Sequence, residues 1–386
     1  MGDNVTLIIT IALVIVFSPF FAKVLKLPTT PIEIILGSVL GFIGFLHEEH
    51  LFDVAAEIGF LYLMFIAGTE INLKDVLKTP KSIMKRVVFY LIILYGFAIL
   101  FSVYFTLGNI FIILLPLISV GLIATLSKEY GKTPWLDLSM TAGGIGEVVS
   151  IAILTISSAA LQSGMGFTLI ETLISLLLFL ILMFIIFRAM QIVFWWYPEV
   201  SKVLMPEKDN QEQDIRLSIS IFLLLVGAML YLHLELAFGA FLAGIFIPTF
   251  FQHKHELPEK LASFGFGILV PIFFIHIGSS FDLAALNMDG LIYKAILITI
   301  MMVAMRVIAS LVFVKKLGII DSVLMGLSHS MPLTLLIAIA TLAYHANSID
   351  QLHYYAFILA ALFQVISVMV AIKVINLYKF QTQNTL

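Results

Sequence analysis

The chain has 386 residues, of which 61% are apolar and only 12% charged, and its formal net charge is −3. A soluble domain carries roughly 45–50% apolar and 25% charged residues, so this composition excludes an ordinary water-soluble fold and points to a chain solvated by lipid. No cysteine is present, which excludes disulfides, thiolate metal sites and a cysteine nucleophile.

The first residues, Met1-Gly2-Asp3-Asn4, are acidic, and no small-residue cleavage site follows the apolar run from Val5 to Phe21. A cleavable signal is therefore not expected. Gly2 with Thr6 fits a myristoylation pattern and is read as a chance match. Apolar stretches of about 20 residues then predict thirteen transmembrane helices, at roughly 4–22, 29–46, 54–71, 87–105, 109–127, 139–161, 168–187, 217–233, 235–251, 263–280, 291–314, 319–345 and 353–375. A polar segment from Arg188 to Arg216 separates the seventh from the eighth.

Loop charge gives the orientation. With the N-terminus outside, every second loop is cytoplasmic. Of the 21 lysines and arginines, only Lys294 then falls on the outer side and only Arg306 lies deep within a span, Lys294 and Lys373 being close to span ends. A multi-pass protein of the inner (cytoplasmic) membrane is expected, with its C-terminus in the cytoplasm. Two six-helix blocks joined by one linker helix must start on opposite faces. The expected fold class is thus all-α membrane protein, about thirteen transmembrane helices, with two inverted six-helix repeats of the kind common in secondary transporters. The expected organisation is residues 1–187 (block one plus helix 7), 188–216 (cytoplasmic linker), 217–376 (block two) and 377–386 (a short cytoplasmic tail).

Ionisable groups at membrane depth mark function. Glu147 lies about eight residues into the sixth span, roughly 12 Å from its start at 1.5 Å per residue. The run Gly143-Gly144-Ile145-Gly146 before it leaves room for close backbone approach. Arg306 lies at nearly the same depth in span eleven and needs an anionic or carbonyl partner. Pro116, Ser119 and Gly121 interrupt span five, and Ser328, Ser330 and Pro332 interrupt span twelve. Broken helices offer half-helix dipoles and unwound carbonyls to an ion. His276 and His329 could sense pH, though a neutral, hydrogen-bonded imidazole is the plainer reading of each. Glu33, Glu57, Glu70 and Glu171 carry less weight. His47-Glu48-Glu49-His50 resembles a metal cluster but falls in an external loop and is read as solvated. No GxxxxGK[ST] loop, no GxGxxG domain after the last span and no HExxH motif is present, so no enzyme, nucleotide cofactor or nucleic-acid partner is expected.

At these residues the chain resembles the second branch of the monovalent cation–proton antiporter superfamily, the sodium or potassium exchangers of the Kef and Nap type, over the membrane domain only. The resemblance rests on matches in order: Leu25-Lys26-Leu27-Pro28-Thr29 before Gly37 and Gly41; Ala56-Glu57-Ile58-Gly59 with Phe65-Ile66-Ala67-Gly68-Thr69-Glu70-Ile71; Ser119-Val120-Gly121-Leu122 through Lys128-Glu129; Phe238-Gly239-Ala240-Phe241-Leu242-Ala243-Gly244; and Pro271-Ile272-Phe273-Phe274 with Gly278. It implies a sodium/proton antiporter-like fold with discontinuous crossing helices, in which a core domain moves against a dimerisation domain, and a homodimer in lipid. Family members carry an aspartate pair, Asn-Asp or Gln-Asp where this chain has Gly146-Glu147. The crossing-helix threonine is Ile118 here, the basic residue of helix eleven corresponds to Arg306, and the arginine often found in helix twelve is absent.

The resemblance implies exchange of a monovalent cation, sodium first and potassium second, for a proton. Glu147 would be the shared carboxylate, Ser119 and Gly146 would lie beside it, and Arg306 would be its charge partner. One carboxylate and one fixed arginine favour one-for-one, electroneutral exchange serving pH homeostasis. The competing expectation is a sodium-coupled symporter of a small organic solute on the same fold.

Overall fold

A computed structural model of the chain describes the backbone of residues 2–25, 28–47, 49–71, 78–131, 133–163, 167–197, 199–200, 203, 205–206, 211–251, 254, 256–281 and 283–384. Lys26, Leu27, Glu48, Lys74, Lys132, Lys202 and Lys208 lie outside the described residues, as do the side chains of Lys128 and Glu129.

Every predicted span has a helical counterpart, and no strand occurs among the described residues. Lipid offers backbone groups no hydrogen bonds, so a spanning chain of this composition closes its bonds within helices. The first block contains α1 (Gly2–Leu25), α2 (Thr29–Ile43), α3 (His50–Thr69), α4 (Lys81–Tyr104), the broken pair α5a (Phe111–Leu114) and α5b (Gly121–Tyr130), and α6 (Pro134–Ser163). After α7 (Phe167–Trp196), the second block contains α8 (Gln213–Tyr231), α9 (Leu236–Phe250), α10 (Leu257–Ser279), α11 (Leu291–Leu317), the broken pair α12a (Ile319–Ser328) and α12b (Leu333–His345), and α13 (Gln351–Asn384).

Several helices begin behind a proline, at Pro28, Pro80 and Pro332, where a missing N–H costs nothing. α7 continues past the predicted stop at Arg188, because nothing from Arg188 to Trp196 breaks a helix. α6 begins five positions earlier than predicted. That puts Glu147 thirteen residues from Pro134, about 20 Å along the axis and deeper than expected.

The two blocks match element by element. The second helix of each, α2 and α9, has only 15 residues, about 22 Å against a hydrocarbon core of about 30 Å. The fifth helix of each is broken, and α12a and α12b are bent by 43°.

Compactness divides the chain differently from chain order. One unit comprises residues Met1–Asp75 and Thr155–Leu283, the other Val76–Leu154 and Ala284–Leu386. In the first unit, α2 crosses α10 at Gly37 and Gly278, and α3 crosses α9 at Gly68 and Gly244. A Cβ at Gly37 would lie 2.4 Å from the Ile275 carbonyl oxygen, and one at Gly278 2.2 Å from that of Ile34. For Gly68 the obstacle is the Phe241 oxygen at 2.1 Å, and for Gly244 the Phe65 oxygen at 2.0 Å. Backbone against backbone leaves room only for glycine. Exchanging equivalent helices between the blocks turns one crossing into the other, so the internal duplication is visible in the packing.

Polar contacts within each unit join helix ends that the predicted topology puts on one face. In the first unit, Asp214 at the start of α8 lies 3.6 Å from both Lys254, between α9 and α10, and Lys260, in the first turn of α10. Asp53 in the first turn of α3 meets His276 in the last turn of α10 at 2.9 Å. In the second unit, Lys379 of α13 bonds Asp321 of α12a. Lys294, the one basic residue assigned to the outer side, lies 2.8 Å from His353, which in turn bonds Asp350 at 2.6 Å.

Candidate functional site

The break in α5 is held at both ends by ionisable side chains, all within the second unit. Pro116 has no N–H to continue α5a, and the chain runs unwound through Leu117, Ile118 and Ser119 before Gly121 opens α5b. Glu147, fully buried on α6, accepts the Val120 backbone N–H at 3.0 Å and the Ser119 hydroxyl at 3.2 Å. Val120 is the N-cap residue of α5b. The carboxylate therefore sits on a half-helix amino terminus, where the dipole and unpaired N–H groups favour an anion. Ser119 Oγ is also 3.4 Å from Thr334 Oγ1, in the first turn of α12b. The leading turns of both second half-helices thus converge beside Glu147.

Arg306, fully buried on α11, holds the other end. Its Nη1 donates to the Met302 carbonyl at 2.7 Å and its Nη2 to the carbonyls of Leu115, at 2.9 Å, and Leu117. These oxygens lie just past the carboxyl end of α5a, where a cation is favoured. Of the two kinds of partner expected for Arg306, an anion or carbonyls, the hydrogen bonds are to carbonyls. Its hydrogen bonds all go to carbonyls, Nε has none, and no Arg306–Glu147 bridge within 4.0 Å occurs among the described residues. A planar guanidinium can bridge several carbonyls at once, which a point-like ammonium cannot.

Gly146 has a specific neighbour. A Cβ there would stand 2.6 Å from Cδ1 of Ile118 and 3.3 Å from its Cβ. The isoleucine from the break fills the notch that a side chain at position 146 would need. Positions 118 and 146 therefore share one packing contact. A Cβ at Gly121, by contrast, would meet nothing within 4 Å.

The break in α12 is also tied down from within its unit. Ser328 donates to Ser139 Oγ at 3.0 Å, Ser330 to the Gly326 carbonyl at 2.8 Å, and Pro332 precedes the first turn of α12b. His329 Nδ1 lies 2.8 Å from the Tyr90 hydroxyl and Nε2 3.0 Å from the Ser139 carbonyl oxygen. His276 is in the first unit, against Asp53 and edge-on to Phe52. Of the remaining carboxylates, Glu33 is buried and accepts from Ser18 at 3.4 Å, whereas Glu57 and Glu171 are exposed. No group of three metal-ligating side chains occurs among the described residues.

Sequence reasoning missed Thr334, Tyr90 and Ser139. Thr334 carried a usable signal, since it is two residues past Pro332 and so in the first turn of a restarted helix. Tyr90 and Ser139 carried none, because they reach the site only through tertiary packing.

The family profile described as "Sodium/hydrogen exchanger, transmembrane" matches residues 8–375. Among curated proteins, the chain is 24% identical to the putative Na(+)/H(+) antiporter YjbQ of Bacillus subtilis, over 93% of this chain and 60% of that protein. It is 27% identical to the probable Na(+)/H(+) antiporter GerT of Bacillus cereus, over 64% of this chain and 65% of the relative. With NhaS4, an Na(+)/H(+) antiporter of Synechocystis, it shares 25% identity over 81% of this chain and 82% of the relative. The chain thus spans under two thirds of the length of the first two relatives. The solved structure of the sodium proton antiporter MjNhaP1 from Methanocaldococcus jannaschii aligns with a TM-score of 0.61 at 13% identity, covering 96% of this chain and 97% of that one. With a transmembrane profile matched over nearly its whole length and this fold, the chain belongs to the sodium/hydrogen exchanger family of the cation–proton antiporter superfamily.

Proposed function

We propose that the protein is a secondary transporter that exchanges a monovalent cation for a proton by alternating access, with Glu147 as the shared carboxylate. The observation that carries this reading is the placement of Glu147, fully buried and facing the leading turn of α5b with the hydroxyls of Ser119 and Thr334 alongside. Burial disfavours the charged carboxylate unless a cation compensates it, while the N–H of Val120 and the Ser119 hydroxyl favour it. A carboxyl between these pressures holds a proton or a cation but not both, and that competition couples the two fluxes.

Sodium is the first choice of cation and potassium the second. The curated relatives named above as sodium/proton antiporters support sodium. One carboxylate, with Arg306 committed to carbonyls, leaves one titrating charge in this site. That favours one cation for one proton, hence electroneutral exchange. The loop charges support an inner-membrane orientation with the N-terminus outside. A homodimer in lipid follows from the resemblance, and His276 beside Asp53 is the candidate for external pH response.

The test is proton flux in proteoliposomes, read by a pH-sensitive dye as sodium, potassium or lithium is added, with Glu147→Gln in parallel. Dissipation of the gradient by one cation in the wild type alone supports exchange. If correctly inserted protein moves no protons with any cation, the sodium-coupled symporter becomes the better reading, and organic solutes are then screened.

A further inference from the structure

His329 opens the break in α12, and both of its hydrogen-bond partners belong to the unit that carries Glu147. The Ser139 carbonyl can only accept, so the hydrogen of the ring is on Nε2. In the neutral ring Nδ1 is then the acceptor, and the Tyr90 hydroxyl donates to it. A neutral imidazole satisfies both partners and is gripped along both edges, by α4 on one side and α6 on the other. Tyr90, Ser139, Ser328 and His329 are all buried. A second ring proton on Nδ1 would confront the Tyr90 O–H and force that hydroxyl to find another acceptor in a dry interior, at the cost of a buried hydrogen bond.

The ring also stands over the glycine run ahead of Glu147. A Cβ at Gly143 would lie 3.6 Å from His329 Nε2, and Gly143 is one helical turn before the carboxylate. Five residues after His329, across the break, Thr334 touches Ser119, which donates to Glu147.

We infer that His329 is a positioning residue for the ion site: a neutral imidazole that ties the break of α12 to α4 and α6 and so fixes where Thr334 meets Ser119 and Glu147. This rests on Glu147 being the carrier. The role is geometric, distinct from the pH sensing that an isolated buried histidine suggests. It needs one donor and one acceptor at the ring edges and no titrating group.

The experiment compares wild type, His329→Gln, His329→Leu and Tyr90→Phe as full chains in proteoliposomes, measuring cation-dependent proton flux from about pH 6 to about pH 9. Glutamine supplies an N–H and a carbonyl but does not titrate. His329→Gln is expected to keep maximal flux within about twofold, with an unshifted pH profile. His329→Leu is expected to lose about tenfold or more, and Tyr90→Phe to fall between, again without a pH shift. The inference is overturned if His329→Gln loses as much flux as His329→Leu, if its pH profile moves by about a unit or more, or if His329→Leu keeps wild-type flux. Should the leucine variant not fold, the glutamine and phenylalanine variants decide alone. Glu147→Gln is run alongside. Retained exchange in that variant defeats the carrier assignment, whereas loss of exchange there with a shifted His329→Gln profile defeats only the positioning role.

Discussion

Glu147 and Arg306 grip opposite ends of one unwound segment. The carboxylate takes the Val120 N–H at the start of α5b, and the guanidinium takes the Leu115 and Leu117 carbonyls past the end of α5a. An interrupted helix buried away from water leaves several N–H and C=O groups without intrahelical partners. Here an anion serves one set and a cation the other, each with the sign the half-helix dipole favours. The break is therefore a stable structure rather than a defect.

Removing Arg306 should first be visible in stability. Arg306→Met takes the guanidinium from the Leu115 and Leu117 oxygens, and a buried acceptor left unsatisfied costs about 1–3 kcal/mol. Arg306→Lys keeps the charge but cannot bridge the carbonyls together, so an intermediate loss is expected. Thermal unfolding in detergent checks the order wild type, lysine, methionine. Equal midpoints for all three would contradict the anchoring role.

Gly146 and Ile118 should behave as a pair. Gly146→Ala drives a methyl into Ile118 Cδ1 and is expected to reduce exchange about tenfold. Ile118→Val removes that terminal carbon and should recover most of the loss when combined with Gly146→Ala. The coupling in a double-mutant cycle should be about 0.5–3 kcal/mol. Strict additivity would mean that the notch is not shared.

The crossings in the first unit give a sharper steric test. Gly68→Ala or Gly244→Ala places a methyl against a carbonyl oxygen that cannot swing aside, with an expected loss of about 1–3 kcal/mol or more. Gly227→Ala on α8, where a Cβ would meet nothing within 4 Å, should be neutral or stabilise by up to about 1 kcal/mol. Unfolding midpoints of the three variants decide.

Asp350, ahead of α13, gives a pH-dependent contact. Partial burial works to raise its pKa, but the His353 backbone N–H and ring and the nearby Lys294 outweigh it and hold the carboxyl below the usual aspartate range. A depressed folded pKa contributes stability above the unfolded value of about 3.9, and the contribution disappears as pH falls through the folded value. Asp350→Asn should therefore loosen this loop at neutral pH, and its difference from wild type should shrink below about pH 4. Amide exchange at residues 350–355 measures it. A difference that grows on acidification would have the wrong sign.

Much of this was legible before the structure. The spans could be read because each lipid-crossing segment must be apolar throughout, and both breaks because Pro116 and Pro332 lie among small polar residues. The glycines at 37, 68, 244 and 278 could be recognised as motifs, but not as two equivalent crossings, since partners across a helix pair leave no mark in local sequence. Arg306 was correctly placed as needing an anion or carbonyls. Which of these it found depends on where the carbonyls of α5 point, and that is a tertiary property. The same limit hid Tyr90 and Ser139 from any reading of His329. The end of α7 is not legible from hydropathy, because the charge at Arg188 ends the apolar run but not the helix.

The most direct test of Glu147 as a shared carboxylate is proton release on cation binding. Sodium is titrated into weakly buffered, detergent-solubilised protein with a pH indicator, and the protons released are counted for each cation bound. Protons released per cation are expected to rise toward about one in the wild type as the pH is lowered, and to be absent from Glu147→Gln, if a single carboxyl exchanges the two ligands. Cation binding without proton release at any pH in the wild type, or undiminished release from Glu147→Gln, would show that the competition lies elsewhere.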